Sequence, residues 1–169
     1  PMALGMAATI RIGFRVGAGD IIESRTTAAI AFATTALFAI GGAILIYLFR
    51  DPLVGVYTRE AVVMNLASTL LLFVVFFLFF DASQATFVGA LRGYKDTRIP
   101  MYIALFSYWV VGLPIGISLG FGYVGDAMGV YGFWLGLAIG VGTAASLMGY
   151  RLWRVSGDLA LIGKLSNEA

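Results

Sequence analysis

Residues 61–91 read AVVMNLASTLLLFVVFFLFFDASQATFVGAL, and Asp81 is the only charge among them. The stretch exceeds the ~20 apolar residues a helix needs to cross ~30 Å of hydrocarbon. A carboxylate near the centre of such a helix costs roughly 2.5–3.5 kcal/mol on insertion scales. A residue kept at that cost marks an ion, proton or substrate path more often than it serves packing. The plainer reading is an aspartate hydrogen-bonded to a neighbouring helix.

Three further runs carry no charge at all: 26–49, 99–125 and 127–150. Each is long enough to span a bilayer, and none alternates with a period of two as a barrel strand would. The pattern predicts an all-α membrane protein, a polytopic bundle with full helices at about 22–49, 59–92, 98–122 and 128–154. Residues 1–10 are already apolar, with no charged region ahead of them, so they do not form a signal peptide. They read as the second half of a membrane helix over 1–17, and the sequence is expected to be part of a longer polypeptide. A transmembrane lobe then covers 1–155. The tail, 156–169, holds a mixed apolar and charged stretch over 158–164 that suits a brief interfacial helix or a disordered end.

Composition agrees. The chain is 60% hydrophobic with 12% charged residues and a mean hydropathy of +0.94, against about 25% charged residues in soluble domains. It has no Cys and no His, which removes thiolate metal sites, the usual zinc ligand and the Ser-His-Asp and Cys-His catalytic sets. No enzyme is expected. A net charge of +2 gives no reason to expect nucleic acid as a partner.

Local signals place the boundaries. Gly17-Ala18-Gly19 offers a left-handed stop for the first helix, and Asp20 with Glu23 resembles a capping box for the next. Asp51-Pro52 predicts a break after the first full span. Thr97 is a candidate cap, with Pro100 in the first turn behind it. Pro114, in mid-span, frees the carbonyl of Val110 and predicts a kink. Gly112, Gly116 and Gly120, and then Gly132, Gly136 and Gly140, recur every four residues and read as close-packing stripes. The stretch around Gly140, Gly142 and Ala145 matches a dinucleotide-binding pattern, but it lies inside an uncharged span rather than at a strand-to-helix turn, and is rejected. Lys and Arg counts in successive loops run 3, 2, 3, 0 and 3. By the positive-inside rule this puts the first, third and last loops and the C-terminus in the cytoplasm.

At 100° per residue, Val74, Phe77, Gln84, Ala85, Val88 and Arg92 share the side of Asp81, with Phe76, Phe79, Phe80 and Phe87 on the far half. The expected arrangement sets the phenylalanines in lipid and Asp81 toward the bundle interior or a cavity. Gln84, a turn away, is placed to donate to the carboxylate. Phe77 would shield it or stack on an aromatic ligand, with ordinary packing as the alternative; Val74 and Ala85 would line the same cavity. Burial disfavours the charged form of a carboxylate, which suits reversible proton uptake near neutral pH. Na⁺ is the other candidate, with Asp81 as its carboxylate ligand and Gln84 completing part of an oxygen shell. A third use is pairing with a cationic substrate.

Asp81-Ala82-Ser83-Gln84, followed by Gly89-Ala90-Leu91-Arg92-Gly93-Tyr94-Lys95-Asp96-Thr97, resembles the tenth helix and following loop of MATE transporters, the multidrug and toxic compound extrusion proteins. The likeness is strongest to their NorM-type branch. Ile12 to Asp20, Trp109 to Pro114 and Gly132 to Gly136 resemble other helices of the same family. The resemblance implies the partial C-terminal six-helix lobe of a twelve-helix transporter in the bacterial cytoplasmic membrane, paired with an N-terminal lobe. The implied activity is export of cationic or aromatic compounds, coupled to Na⁺ or H⁺ entry, with no cofactor beyond that ion. It puts the cation or proton site at Asp81. A tyrosine some members carry one turn earlier is Phe77 here, so no hydroxyl is available at that position. Arg92, Gly93, Tyr94, Lys95 and Asp96 form the family's cytoplasmic loop motif, read either as a solvated charge cluster or as a latch between helices. Two other readings stay open: a lipid-linked sugar flippase of the same superfamily, and a non-transporting membrane subunit that uses Asp81 to pair helices.

Overall fold

A computed structural model describes residues 1–167. Helix α1 covers Met2–Gly17, α2 Ile21–Tyr57 and α3 Ala61–Gly93. The next span is composite: α4 (Arg98–Leu105), a π-helical stretch (Phe106–Gly112) and α5 (Leu113–Phe121) run on without a break. Helix α6 covers Val130–Gly157, and α7 (Leu159–Asn167) closes the described chain. There is no strand among the described residues. Four spans, α2, α3, the composite and α6, are long and apolar enough to cross a membrane.

Successive helices run antiparallel, so the α1–α2 turn, the α3–α4 turn and the end of α6 meet at one end of the bundle. Nine of the eleven Lys and Arg residues lie toward that end, and only Arg50 and Arg59 lie toward the other. It is called the basic end below. Large apolar side chains face outward in number, Leu37, Phe38 and Trp109 among them, as expected of a surface that meets lipid instead of water. Tyr150 and Trp153 are exposed near the basic end, Tyr57 and Tyr123 near the opposite one. This is the placement of interfacial aromatic belts.

What lies between the helices is small. Helix α3 buries Ala82, Ser83, Thr86, Gly89, Ala90 and Gly93 together with Leu91. A Cβ on Gly89 would run into the backbone of Gly5 on α1. On the other side, α5 and α6 close along both predicted glycine stripes: Gly112 meets Gly140, Gly116 meets Gly136, and Gly120 meets Gly132. A few hydroxyls add cross-helix bonds. Thr86 Oγ1 donates to Thr35 Oγ1 on α2 at 2.8 Å, and Thr9 Oγ1 donates to the Gly89 carbonyl at 2.7 Å. Such bonds contribute about 0.6 kcal/mol each in a membrane protein.

Several expectations need correction. The break at Asp51-Pro52 does not occur; α2 continues through Pro52 to Tyr57. Pro52 falls near the C-terminal end of that helix, where few backbone bonds remain to be lost, and Asp51 is tied to Ser68 Oγ on α3 at 2.8 Å. The Asp20–Glu23 capping box does not form either. Asp20 makes no side-chain cap bond; both carboxylates pair with Arg15 instead. Thr97 likewise precedes α4 without a side-chain cap bond. The disturbance expected at Pro114 takes the form of the π-helical stretch just before it, where the Leu113 N–H bonds to the Tyr108 carbonyl. π-Bulges and prolines are both recognised causes of helix irregularity. The phenylalanines of α3 are not a uniform lipid face: Phe87 stacks on Phe32 at 4.9 Å between ring centroids and lies against Gly149, while Phe80 lies beside Gly142.

The seam between α5 and α6 gives a direct test. Gly136→Ala pushes a methyl into the backbone of Gly116 and is expected to cost about 1–3 kcal/mol, the usual range for overpacking. Gly41→Ala, with nothing within 4 Å of the added carbon, should leave stability unchanged. Thermal unfolding in detergent compares the two.

Candidate functional site

Asp81 sits on α3 at the edge of a cleft of about 220 Å³ formed with α1 and the π-helical stretch. Gln84, Ala85, Val88 and Arg92 line it from α3, Met2, Met6 and Thr9 from α1, and Tyr108 from the composite span. The carboxylate is exposed to this cleft and has no hydrogen bond or ion pair among the described residues. Asp81 thus faces the cleft and not the packed helix contacts. The buried side of α3 is the small-residue face that begins one residue later, at Ala82.

Gln84 does not donate to Asp81. Its Oε1 accepts a hydrogen bond from Tyr108 Oη at 2.7 Å. That bond fixes the amide and brings a phenol hydroxyl to the cleft from a helix 24 residues further along. The cleft thus gathers one carboxylate with the neutral oxygens of Gln84, Tyr108 and Thr9, an all-oxygen set of the kind hard cations prefer. Ala85 lines the cleft; Val74 and Phe77 do not. Phe77 instead packs edge-to-face on Trp134 of α6, with ring centroids 6.4 Å apart. Tyr108 was not singled out from the sequence. Its signal was a hydroxyl-bearing aromatic in mid-span, which only the fold pairs with Gln84.

The loop motif is a second constellation, at the basic end. Helix α3 finishes in a Schellman turn: the Lys95 N–H bonds to the Arg92 carbonyl and the Asp96 N–H to the Leu91 carbonyl, both at 2.9 Å. Lys95 takes the left-handed position at φ 64°, where glycine is usual. The α1–α2 turn is built the same way, with Gly19 in the left-handed position and bonds from Gly19 to Val16 and from Asp20 to Arg15. Gly93 has no room for a side chain, because a Cβ there would meet Ile12.

The turn carries Asp96 inward. Only 1% of that residue is exposed, and Arg151 Nε on α6 donates to its Oδ2 at 2.7 Å. Tyr94, also 1% exposed, reaches α2: Ser24 Oγ donates to the Ile21 carbonyl at 2.7 Å, so the Tyr94 hydroxyl donates to Ser24 Oγ at 2.9 Å. Burial pushes the Tyr94 phenol above its ordinary range, keeping it a donor at neutral pH. Asp96 and Tyr94 are thus not part of a solvated cluster. They join α2, the α3–α4 turn and α6, while Arg92 and Lys95 point outward.

Removing Arg151 leaves Asp96 buried and unpaired. Arg151→Gln is expected to lower stability by about 3 kcal/mol, at the low end for a broken buried pair because the arginine keeps a wet edge. Adding Asp96→Asn should restore part of the loss. Tyr94→Phe should cost about 1 kcal/mol. Unfolding midpoints of the four proteins check the series.

The family model described as MatE matches residues 1–117. The chain is 46% identical over 160 residues to the probable multidrug resistance protein NorM of Xanthomonas axonopodis pv. citri, covering 92% of this chain and 33% of that protein. It is 40% identical over 166 residues to the multidrug resistance protein MdtK of Proteus mirabilis, covering 96% and 36%. It is 40% identical over 155 residues to the multidrug resistance protein PmpM of Pseudomonas aeruginosa, covering 91% and 32%. The chain spans about a third of the length of these relatives. The long match to the family model, the relatives along nearly the whole chain and the four apolar spans agree: this is a multi-pass membrane protein that belongs to the MatE family.

Proposed function

We propose that the polypeptide carrying this chain exports cationic and aromatic drugs or toxic compounds across the bacterial cytoplasmic membrane in exchange for Na⁺ or H⁺, with Asp81 as the cation or proton site. The observation that carries this reading is the placement of Asp81: a carboxylate inside a membrane span, without a partner among the described residues, open to a cleft that also holds Gln84 and Tyr108. The relatives' descriptions as multidrug resistance proteins support the class of substrate.

In this mechanism the negative charge of Asp81 is held by one cation at a time. A proton or Na⁺ neutralises it from one side of the membrane, and a cationic substrate competes for it from the other. Gln84 and Tyr108 supply neutral oxygens that replace part of the hydration shell of Na⁺. The gathering of Lys and Arg at one end supports a cytoplasmic location for that end and for the C-terminus. An N-terminal lobe of the same transporter would form the opposite wall of the substrate path.

Efflux from vesicles carrying the intact transporter tests the reading. Asp81→Asn should reduce drug efflux to background under whichever gradient, Na⁺ or pH, drives the wild type, with expression unchanged. Undiminished efflux under both gradients would reduce Asp81 to a structural residue. Tyr108→Phe removes one neutral hydrogen bond and should weaken apparent cation affinity about fivefold, leaving transport in place.

A further inference from the structure

We propose that the composite span is a two-register switch. Its wide π-helical turn, at Phe106–Gly112 here, moves along the helix toward α4 and in doing so carries Tyr108 out of the Asp81 cleft.

Two residues pull the register in opposite directions. Ser107 Oγ is the one buried side-chain polar atom without a hydrogen-bond partner among the described residues. Thr35, Ser83, Thr143 and Ser146, in α-helical spans, each donate to the carbonyl four residues back. Ser107 lacks that bond where the turns widen, and an unmet buried hydroxyl disfavours the register seen here. Pro114 favours it. In an α turn the proline ring crowds the carbonyl of Val110. The wide turn ahead of it, in which the Leu113 N–H reaches back to the Tyr108 carbonyl, relieves that crowding. Each register satisfies one of these residues at the expense of the other. Wide turns of this kind inside α-helices are frequent at functional sites.

The ends of the span are fixed and its middle is not. Helix α5 is sealed to α6 at Gly116 and Gly120, and Asp96, just ahead of α4, is held by Arg151. Between these anchors Pro100 is the only buried residue of α4, and Leu105, Phe106, Trp109 and Val110 face outward. Fixed ends keep the number of residues constant, so the wide turn can travel but not vanish. As it passes, each residue turns by about 100° and advances by about 1.5 Å, one helical step. Tyr108 then leaves Gln84, to which it donates at 2.7 Å. The consequence for transport rests on the reading of Asp81 as a cation site: withdrawing the Tyr108 oxygen loosens the hold on Na⁺.

Distances between nitroxide labels test the switch in the intact polypeptide, carrying no other thiols. Leu105→Cys labels the moving stretch and Ile30→Cys labels α2; both side chains face outward. Two distance populations are expected, differing by roughly 5–8 Å, the reach of a 100° turn at side-chain radius. Ser107→Ala removes the unmet hydroxyl and should enrich the population of the register seen here, whereas Pro114→Ala should enrich the other about threefold or more. Phe121→Cys, on the sealed side of Pro114, should keep a single distance to the α2 label in every variant. One unchanging distance at Leu105 in all three proteins, or an equal shift at Phe121, would overturn the proposal. Pro114→Ala should also weaken apparent Na⁺ affinity, and adding it to Tyr108→Phe should weaken it no further, since both act through the same oxygen. The distances do not involve Asp81. A change of register with no change in Na⁺ affinity would therefore leave the switch standing and count against Na⁺ at Asp81.

Discussion

Apolar side chains gain nothing by leaving lipid for one another, so helices in a membrane hold together only where they fit closely or share polar bonds. That constraint explains the interior of this bundle. Helix α3 is central, and it turns toward its neighbours not its phenylalanine-rich length but a strip of alanine, serine, threonine and glycine. Gly5 with Gly89, and Gly116 with Gly136, bring backbones to distances no side chain allows. Once the backbones are that near, short hydroxyls can cross from helix to helix, as Thr9 and Thr86 do.

Polar chemistry divides between two levels. In mid-membrane, the close approach of α1 and α3 leaves a cleft beside it, and Asp81 opens there without a partner among the described residues. At the basic end the opposite holds. Asp96 is spoken for by Arg151, and Tyr94 by Ser24. On the proposed reading, this contrast separates a group kept for exchange from groups kept for structure. An exchangeable site needs a charge whose partner comes and goes; a joint needs its partner fixed.

Much of the architecture was legible in the residues. Uninterrupted apolar runs located the spans, the glycine spacing anticipated the α5–α6 seam, and Asp81 stood out by its cost. What escaped were pairings across long stretches of chain. Nothing near Asp96 in sequence announces Arg151, 55 residues away, so a charged loop motif looked as much solvated as buried. Gln84 was matched to the nearest carboxylate, whereas the fold supplied Tyr108. Local rules misled where a long-range or alternative partner existed: Asp20 and Glu23 had capping spacing, but Arg15 took both. The buried face of α3 was misjudged because hydrophobicity ranks phenylalanine above alanine and glycine, while in lipid small size decides which face packs.

The glycine seam also has a thermal character. Long side chains give up on the order of 0.5–2 kcal/mol of rotamer freedom when they are locked into an interface, and glycine has none to give up. Closing the composite span on α6 at Gly112 against Gly140 and at Gly116 against Gly136 therefore freezes little side-chain motion; the exception is Gly120, where the Phe133 ring is held. Side-chain disorder, which grows as a driving force with heating and loosens most protein joints, has little leverage on this one. Warming should loosen the aromatic contacts, the Phe121–Phe133 pair at the end of this seam included, before it parts the glycine pairs.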